Sequence, residues 1–359
     1  MTYSSNNPRL PRGFDKKGVV LAAIFLVITI TGLTYVKWLP YYHKAFNAAA
    51  NHSIGSSIVS GKNPVAPDPS WQAAWDYALA YYKSVWKAAV FGILLGSLVQ
   101  VLLPAQWLVR VLGKTSFGST LIGGLASIPG MMCSCCAAPV AVGLRKKQVS
   151  VGASLAFWLG NPTINPATLI FMTFVLSWRF TVLRLVFGLI LTFGVSYLAN
   201  RFADDAKVPA KELEAKQARM EKQESGSFAT RWLRSIGLMI LNIVPAYIIA
   251  VLLLGAARAW LFPSVSEGMA NSLLVIIGFA IAGALFVIPT AAEIPIIQTL
   301  MSFGLGAGPA GALLLTLPSV SLPSFLMIAR HYPRKVIWFV LGSVIVLGVL
   351  SGLVGMAVL

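Results

Sequence analysis

IPGMMCSCCAAPVAVGLRKK, residues 128–147, is the stretch on which the fold turns. Pro129-Gly130 breaks a helix, three thiols follow at Cys133, Cys135 and Cys136, and Pro139 disturbs the next turn by lacking an amide hydrogen. The break lies inside an apolar run of approximately 118–143, closed by the basic cluster Arg145–Lys147. Irregular backbone at membrane depth is tolerated only where protein or a cavity surrounds it. The composition says that this depth is reached: of 359 residues 57% are hydrophobic and 11% charged, against roughly a quarter charged in soluble domains. With a mean hydropathy of +0.78, the chain reads as an all-α polytopic membrane protein, and an ordinary soluble enzyme is excluded.

The net charge is +17, from 28 basic and 11 acidic residues. These charges fall in short clusters between apolar runs, which suits anionic headgroups and the positive-inside rule. Nucleic-acid binding, which needs a basic face on a soluble fold, is not expected. Three cysteines within four positions form no secreted disulfide framework; they read as a reduced thiol cluster.

Outward from the break, apolar segments run approximately 18–39, 84–108, 150–175, 180–200, 233–255, 269–303, 308–329 and 334–357. The run from Gly18 is long enough to span a bilayer and reads as an uncleaved first helix. Residues 41–70 read as an external loop, and WQAAWDYALAYYKSVW, 71–86, as an interfacial aromatic segment. The stretch 201–234 holds six of the acidic and eight of the basic residues, and its core AKELEAKQARMEKQE reads as a solvated helix joining two halves. The expected divisions are 1–83, an N-terminal helix, loop and interfacial segment; 84–200, a first repeat; 201–232, a charged cytoplasmic linker; and 233–359, a second repeat.

Proline spacing supports that duplication. Pro139 and Pro162 are 23 residues apart, as are Pro295 and Pro318, an offset of 156 that also sets Gly152 opposite Gly308. Pro166 and Pro323 match with one residue of slip. Matched interrupted segments in two halves are a signature of transporter repeats. If 118–143 and 269–303 are re-entrant hairpins and seven other segments cross, 20 of the 28 basic residues fall on the cytoplasmic side together with the N-terminus, and the repeats are inverted. Nine crossings result if both hairpins traverse.

Thiols without carboxylates favour soft, thiophilic species over magnesium, calcium or manganese. Cys133 and Cys136, three apart, share a helix face, whereas Cys135 and Cys136 point apart; small buried packing residues are the alternative reading. In LGNPTINPATL, residues 159–169, Asn161-Pro162 and Asn165-Pro166 interrupt an apolar segment and offer amides to a substrate path, or else cap a kink locally. The corresponding stretches of the second half are IPTAAEIPIIQTL, 288–300, and TLPSVSLPSFL, 316–326. Glu293 is the acidic residue deep in an apolar run, a candidate proton carrier or cation-facing ligand, or a carboxylate paired near an interface. Gln298, Ser319 and Ser321 are candidates to line the same cavity. The repeat offset places Glu293 opposite Ala137, beside the thiols. Walker, dinucleotide and HExxH motifs are absent and no cofactor is expected.

Over CSCCAAPVAVGLRKKQVSVGASLAFWLGNPTINPATLIF, residues 133–171, the chain resembles the bacterial permease family related to the ArsP organoarsenical efflux permeases. Cys133, Ser134 and Cys135 stand at the family's CSC, Pro139 at its proline, and Asn161-Pro162 and Asn165-Pro166 at its Asn-Pro element. The resemblance implies an inner-membrane permease and, for the members that confer resistance, export of trivalent arsenicals through cysteine thiols. Cys136 is additional: three thiols suit pyramidal inorganic arsenic or antimony, while a monomethylated arsenical needs two.

The expectation is therefore a secondary-active efflux permease, not an enzyme, binding a small thiophilic solute at Cys133, Cys135 and Cys136 with Asn161, Asn165, Glu293, Gln298 and Ser319 around it. Glu293 would couple transport to protons. Its partners are membrane lipids and the solute, with a homodimer left open. Transport of another small sulfur-containing or organic solute or a soft metal ion, and a membrane thiol oxidoreductase, are the alternatives.

Overall fold

The computed structural model describes residues 16–60, 66–103, 105–203, 227–263 and 271–359. The basic residues Arg9 and Arg12 and the charged segment 210–224 lie outside them. The described residues are helical, with no sheet. The helices are α1 (Lys16–Leu33), α2 (Leu39–Asn51), α3 (Trp71–Leu102), α4 (Ala105–Leu112), α5 (Phe117–Leu125), α6 (Ser134–Lys146), α7 (Val151–Thr163), α8 (Pro166–Val175), α9 (Trp178–Leu189) and α10 (Ser196–Ala199). They continue with α11 (Phe228–Leu261), α12 (Leu273–Leu285), α13 (Glu293–Ser302), α14 (Ala307–Ser319), α15 (Leu322–Ala329) and α16 (Arg334–Val358).

Among the described residues five helices are long and apolar enough to cross a membrane: Gly18–Asn51, Trp71–Leu102, Trp178–Phe202, Phe228–Leu261 and Arg334–Val358. A sixth span results if α14 and α15, bent by 42° at their junction, count as one. The chain is thus a multi-pass membrane protein, with fewer long spans than seven. The apolar stretch 150–175 is two helices, and α7 within it is buried at every position but Phe157. Protein rather than lipid surrounds it, so it need not be bilayer-long.

Two expectations from local composition are corrected. The first helix does not stop near Leu39: a five-residue π-helical turn, Thr34–Trp38, carries it into α2, so the first part of the expected external loop is helix. The aromatic segment 71–86 is the first half of α3, continuous through residue 83; Tyr77 and Tyr81 are buried inside the protein instead of lying at an interface.

Five helix starts are each read from one serine. Ser70, Ser116, Ser150, Ser227 and Ser272 accept from the backbone N–H three residues on, and Asn165 accepts from Ala167 and Thr168. Such caps satisfy amides that a helix cannot satisfy itself. The starts recur at an interval of 156: Phe117 and Leu273, Val151 and Ala307, Pro166 and Leu322, Trp178 and Arg334. The slip seen between Pro166 and Pro323 is only in the proline, since the helices themselves start in register.

Helices α3 and α11 run antiparallel, with Trp232 Nε1 donating to Ser97 Oγ at 3.0 Å near one end and Gly255 packed on Tyr77 and Ala74 near the other. Helix α6 presses on α3 so closely that a Cβ at Gly92 would stand 2.4 Å from the Cys136 carbonyl oxygen. The two broken segments start and finish at opposite ends of this pair. Ser150 N donates to Leu112 O at 2.9 Å, so the chain returns beside its point of departure after α5 and α6. Gly308 N donates to Asn271 Oδ1 at 3.0 Å, and the same is true of α12 and α13. The halves interleave: α6 packs on α15, and α13 on α8.

Candidate functional site

The breaks after α5 and α12 bring two irregular tips, residues 126–133 and 286–292, into the centre. Each contains a non-glycine residue with left-handed backbone, Met131 at φ 48° and Ala291 at φ 70°, a conformation that costs energy and persists only where surroundings impose it. The surroundings are specific. Trp38 Nε1 donates to Pro129 O at 2.8 Å, Asn161 Oδ1 accepts from Met132 N at 3.3 Å, and Trp158 Nε1 donates to Ser134 O at 2.9 Å. On the second tip, Tyr77 Oη donates to Val287 O. Backbone groups freed by the breaks thus find partners within the protein, as the membrane interior requires.

The thiols stand at the start of α6, all free and buried. Cys133 Sγ and Cys136 Sγ are 2.9 Å apart. Cys135 Sγ turns the other way, 3.1 Å from Ser321 Oγ. Among the described residues no three His, Cys, Asp or Glu side chains gather as a metal-sized ligand set. The three-thiol cluster expected from the sequence is therefore a pair plus one thiol facing the N-terminus of α15. The reason is helical geometry: positions three apart share a face and adjacent ones diverge.

Glu293 opens α13, and its partner is Arg184 on α9, Nη1 to Oε1 at 2.6 Å with the two side chains 0% and 1% exposed. The same guanidinium donates to Leu314 O at 3.3 Å, Pro162 O at 2.6 Å and Thr163 O at 3.2 Å. Two of those carbonyls are orphaned by proline: Pro166 and Pro318 have no N–H to give to the residue four before. Arg184 thereby ties the proline breaks of both halves to the second tip. Glu293 Oε2 has no partner among the described residues. The arginine sits in an apolar run, and the 109-residue separation from Glu293 left no local sign of the pairing.

A second buried cation comes from the first helix. Lys37, 5% exposed, sits in the π-helical turn and donates from Nζ to Tyr41 Oη at 2.9 Å and Thr290 Oγ1 at 3.1 Å. It lines a cavity of about 480 Å³ together with Lys44, Ser84, Cys136 and Thr290. Beyond the thiol pair lies a gap of about 10 Å³ whose wall includes Cys133, Glu293, Pro162 and Pro318. Pro289, Thr290 and Ala291 border both spaces.

The remaining predicted residues divide. Asn161 braces the first tip, its Nδ2 donating to Phe157 O at 2.8 Å. Asn165 caps α8, with Nδ2 unpartnered among the described residues. Ser321 meets the thiol helix, also lying 3.3 Å from Ser134 Oγ. Ser319 bonds back to Leu315 O within its own helix. Gln298 reaches away from the thiols to His52 O at 3.3 Å.

Over residues 70–356 the chain matches the family ArsP_1, described as predicted permease. The chain belongs to that family. It is 51% identical over 342 residues, 94% of each chain, to the UPF0718 protein YraQ of Escherichia coli K12. It is 34% identical to the UPF0718 protein MJ0584 of Methanocaldococcus jannaschii over 123 residues, 34% of each chain. The UPF0718 protein YcgR of Bacillus subtilis is 31% identical over 86 residues, 24% of this chain and 29% of that one. No solved structure matches. Membership and the all-helical membrane fold identify a permease-type protein and not an enzyme, as the sequence predicts.

Proposed function

We propose that this protein is a secondary-active efflux permease for a thiophilic solute, with trivalent arsenic species as its cargo. The observation that carries the reading is the Cys133–Cys136 pair, 2.9 Å apart, in the wall between the larger cavity and the central gap. Two sulfurs favour a monomethylated trivalent arsenical, whose third bond is to carbon, over a species needing three. Each thiol would displace one hydroxyl of the metalloid as water, forming an As–S bond, and the reverse step would release the cargo.

The 156-residue recurrence of helix starts and the return of each broken segment beside its departure point support two inverted repeats, 71–202 and 228–358, each with a re-entrant hairpin. The basic residues Arg110, Lys114, Arg145–Lys147 and Arg330 favour a cytoplasmic N-terminus in a cytoplasmic membrane. Rocking of the halves would alternate access to the gap. Glu293 is the candidate coupling residue of that cycle, because its contact with Arg184 is a strut that the rocking halves would have to open.

The test is uptake of arsenite and of a methylated trivalent arsenical into everted vesicles. Cys133→Ser and Cys136→Ser each abolish accumulation, Cys135→Ser retains most of it, and Glu293→Gln removes its pH dependence. Full transport by the Cys133/Cys136 double variant would sink the cargo. A second reading, a small sulfur-containing or organic anion, is favoured by Lys37 and Lys44 on the cavity wall.

A further inference from the structure

We infer that the cavity in front of the thiol pair is an anion-binding vestibule whose ligand is a small oxyanion or carboxylate-bearing solute seated on Lys37, Lys44 and Thr290. This deepens the permease reading by giving the anionic head of a thiol-conjugated arsenical, or of a sulfur-containing organic anion, a place to sit, and it rests on that reading only in placing the vestibule on the transport path.

The argument begins with Lys37. An ammonium group in a low-dielectric interior is costly unless paired. Its two observed acceptors, Tyr41 Oη and Thr290 Oγ1, are neutral hydroxyls, and an ammonium carries three donors. The Tyr41 ring adds a cation–π contact at 5.1 Å, which tempers the charge without neutralising it. The carboxylate of this region, Glu293, is held by Arg184. Among the described residues no carboxylate lines the cavity, whereas Lys37, Lys44, Ser56, Ser57, Ser84 and Thr290 do. Two cations and the hydroxyl groups of Tyr41, Ser56, Ser57, Ser84 and Thr290 around about 480 Å³ make a donor-rich wall with no anionic acceptor among the described lining residues. The third donor of Lys37 and the positive potential of the pair are complementary to an anion of several atoms.

Cys136 borders the same space. An anion held at Lys37 therefore presents its remaining atoms to a sulfur, so a solute with an anionic head and a soft sulfur or metalloid satisfies both walls together.

The experiment uses the purified full chain with Cys133→Ser and Cys135→Ser, so that Cys136 is the thiol labelled. Two methanethiosulfonates of similar size, one ending in sulfonate and one in trimethylammonium, transfer their thioalkyl group to the Cys136 thiolate with sulfinate leaving. Their rates are normalised to those with free mercaptoethanol. The sulfonate reagent should be favoured on the order of tenfold, as a focused positive potential predicts. Lys37→Gln should bring the ratio toward one, and Lys37→Arg should retain it. In parallel, sulfate should raise the thermal unfolding temperature of the wild-type chain and of Lys37→Arg but not of Lys37→Gln. A ratio at or below one, or a preference unchanged in both Lys37→Gln and Lys44→Gln, overturns the vestibule; if Cys136 resists both reagents, the sulfate shift decides. Neither readout involves transport, so arsenical uptake can fail while the vestibule stands, and the reverse.

Discussion

The two tips that meet at the centre are built on one frame and carry different chemistry. The helices that lead into them, α5 and α12, start 156 residues apart, as do α7 and α14, which follow the two broken segments and are each buried at every position but one. Yet the first tip ends in CSCC and the second in TAAE. The first is clamped by indole and amide groups from Trp38, Trp158 and Asn161, the second by Tyr77 and the Arg184–Glu293 pair. The recurrence of helix starts describes the frame and says nothing about the load. Cys133 and Glu293 do not stand at matching positions of the 156-residue recurrence, but they line one small gap because the frame puts both tips there.

The sharpest way to break this comparison is to cut the strut that serves both halves. Arg184→Met strands a buried carboxylate and frees three carbonyls, and should lower stability by about 3–5 kcal/mol in detergent unfolding. Arg184→Met with Glu293→Leu should recover much of that loss. A stable single variant would mean that the two halves are not joined here. Next in size is Gly92→Ala, whose methyl would press on the Cys136 carbonyl. A cost of about 1–3 kcal/mol from overpacking, with altered Cys136 alkylation, is expected. A variant that alkylates like the wild type would show that the thiol helix tolerates displacement.

Smaller effects sharpen the parallel between the tips. Trp38→Phe and Tyr77→Phe each strand one tip carbonyl and should each cost about 1–3 kcal/mol; a large loss in one and none in the other would show that only one break is under strain. Asn165→Ala and Ser321→Ala remove matching helix caps, at about 1 kcal/mol each by thermal melts. Ser321→Ala should in addition change the reactivity of Cys135, the sulfur it contacts, and Asn165→Ala should not.

Much of this was legible in the residues. Pro129-Gly130 marked the first break, and the 23-residue proline spacing caught the recurrence of 156, although Pro139, Pro162, Pro295 and Pro318 themselves lie within helices α6, α7, α13 and α14. The divergence of Cys135 from Cys136 followed from helical periodicity. Composition misled at the ends of the long helices. LPYYHKAFNAAAN, 39–51, looks like a loop by polarity and is helix α2. Tyr77 and Tyr81 look interfacial by type, but α11 covers them, and Tyr81 Oη lies 2.5 Å from Tyr247 Oη. Trp38, which suits a membrane-surface anchor, spends its indole N–H on the first tip.

By itself the sequence determined the local rules of this protein: apolar spans, capped starts, broken turns and a thiol face with period three. Those depend on neighbours a few residues apart. Only the tertiary structure decided which charges meet. Arg184 and Lys37 reach Glu293 and Thr290 across 109 and 253 residues. Such pairings are set by where whole helices pack, and a lysine in an apolar helix carries no local mark of the cavity it will face.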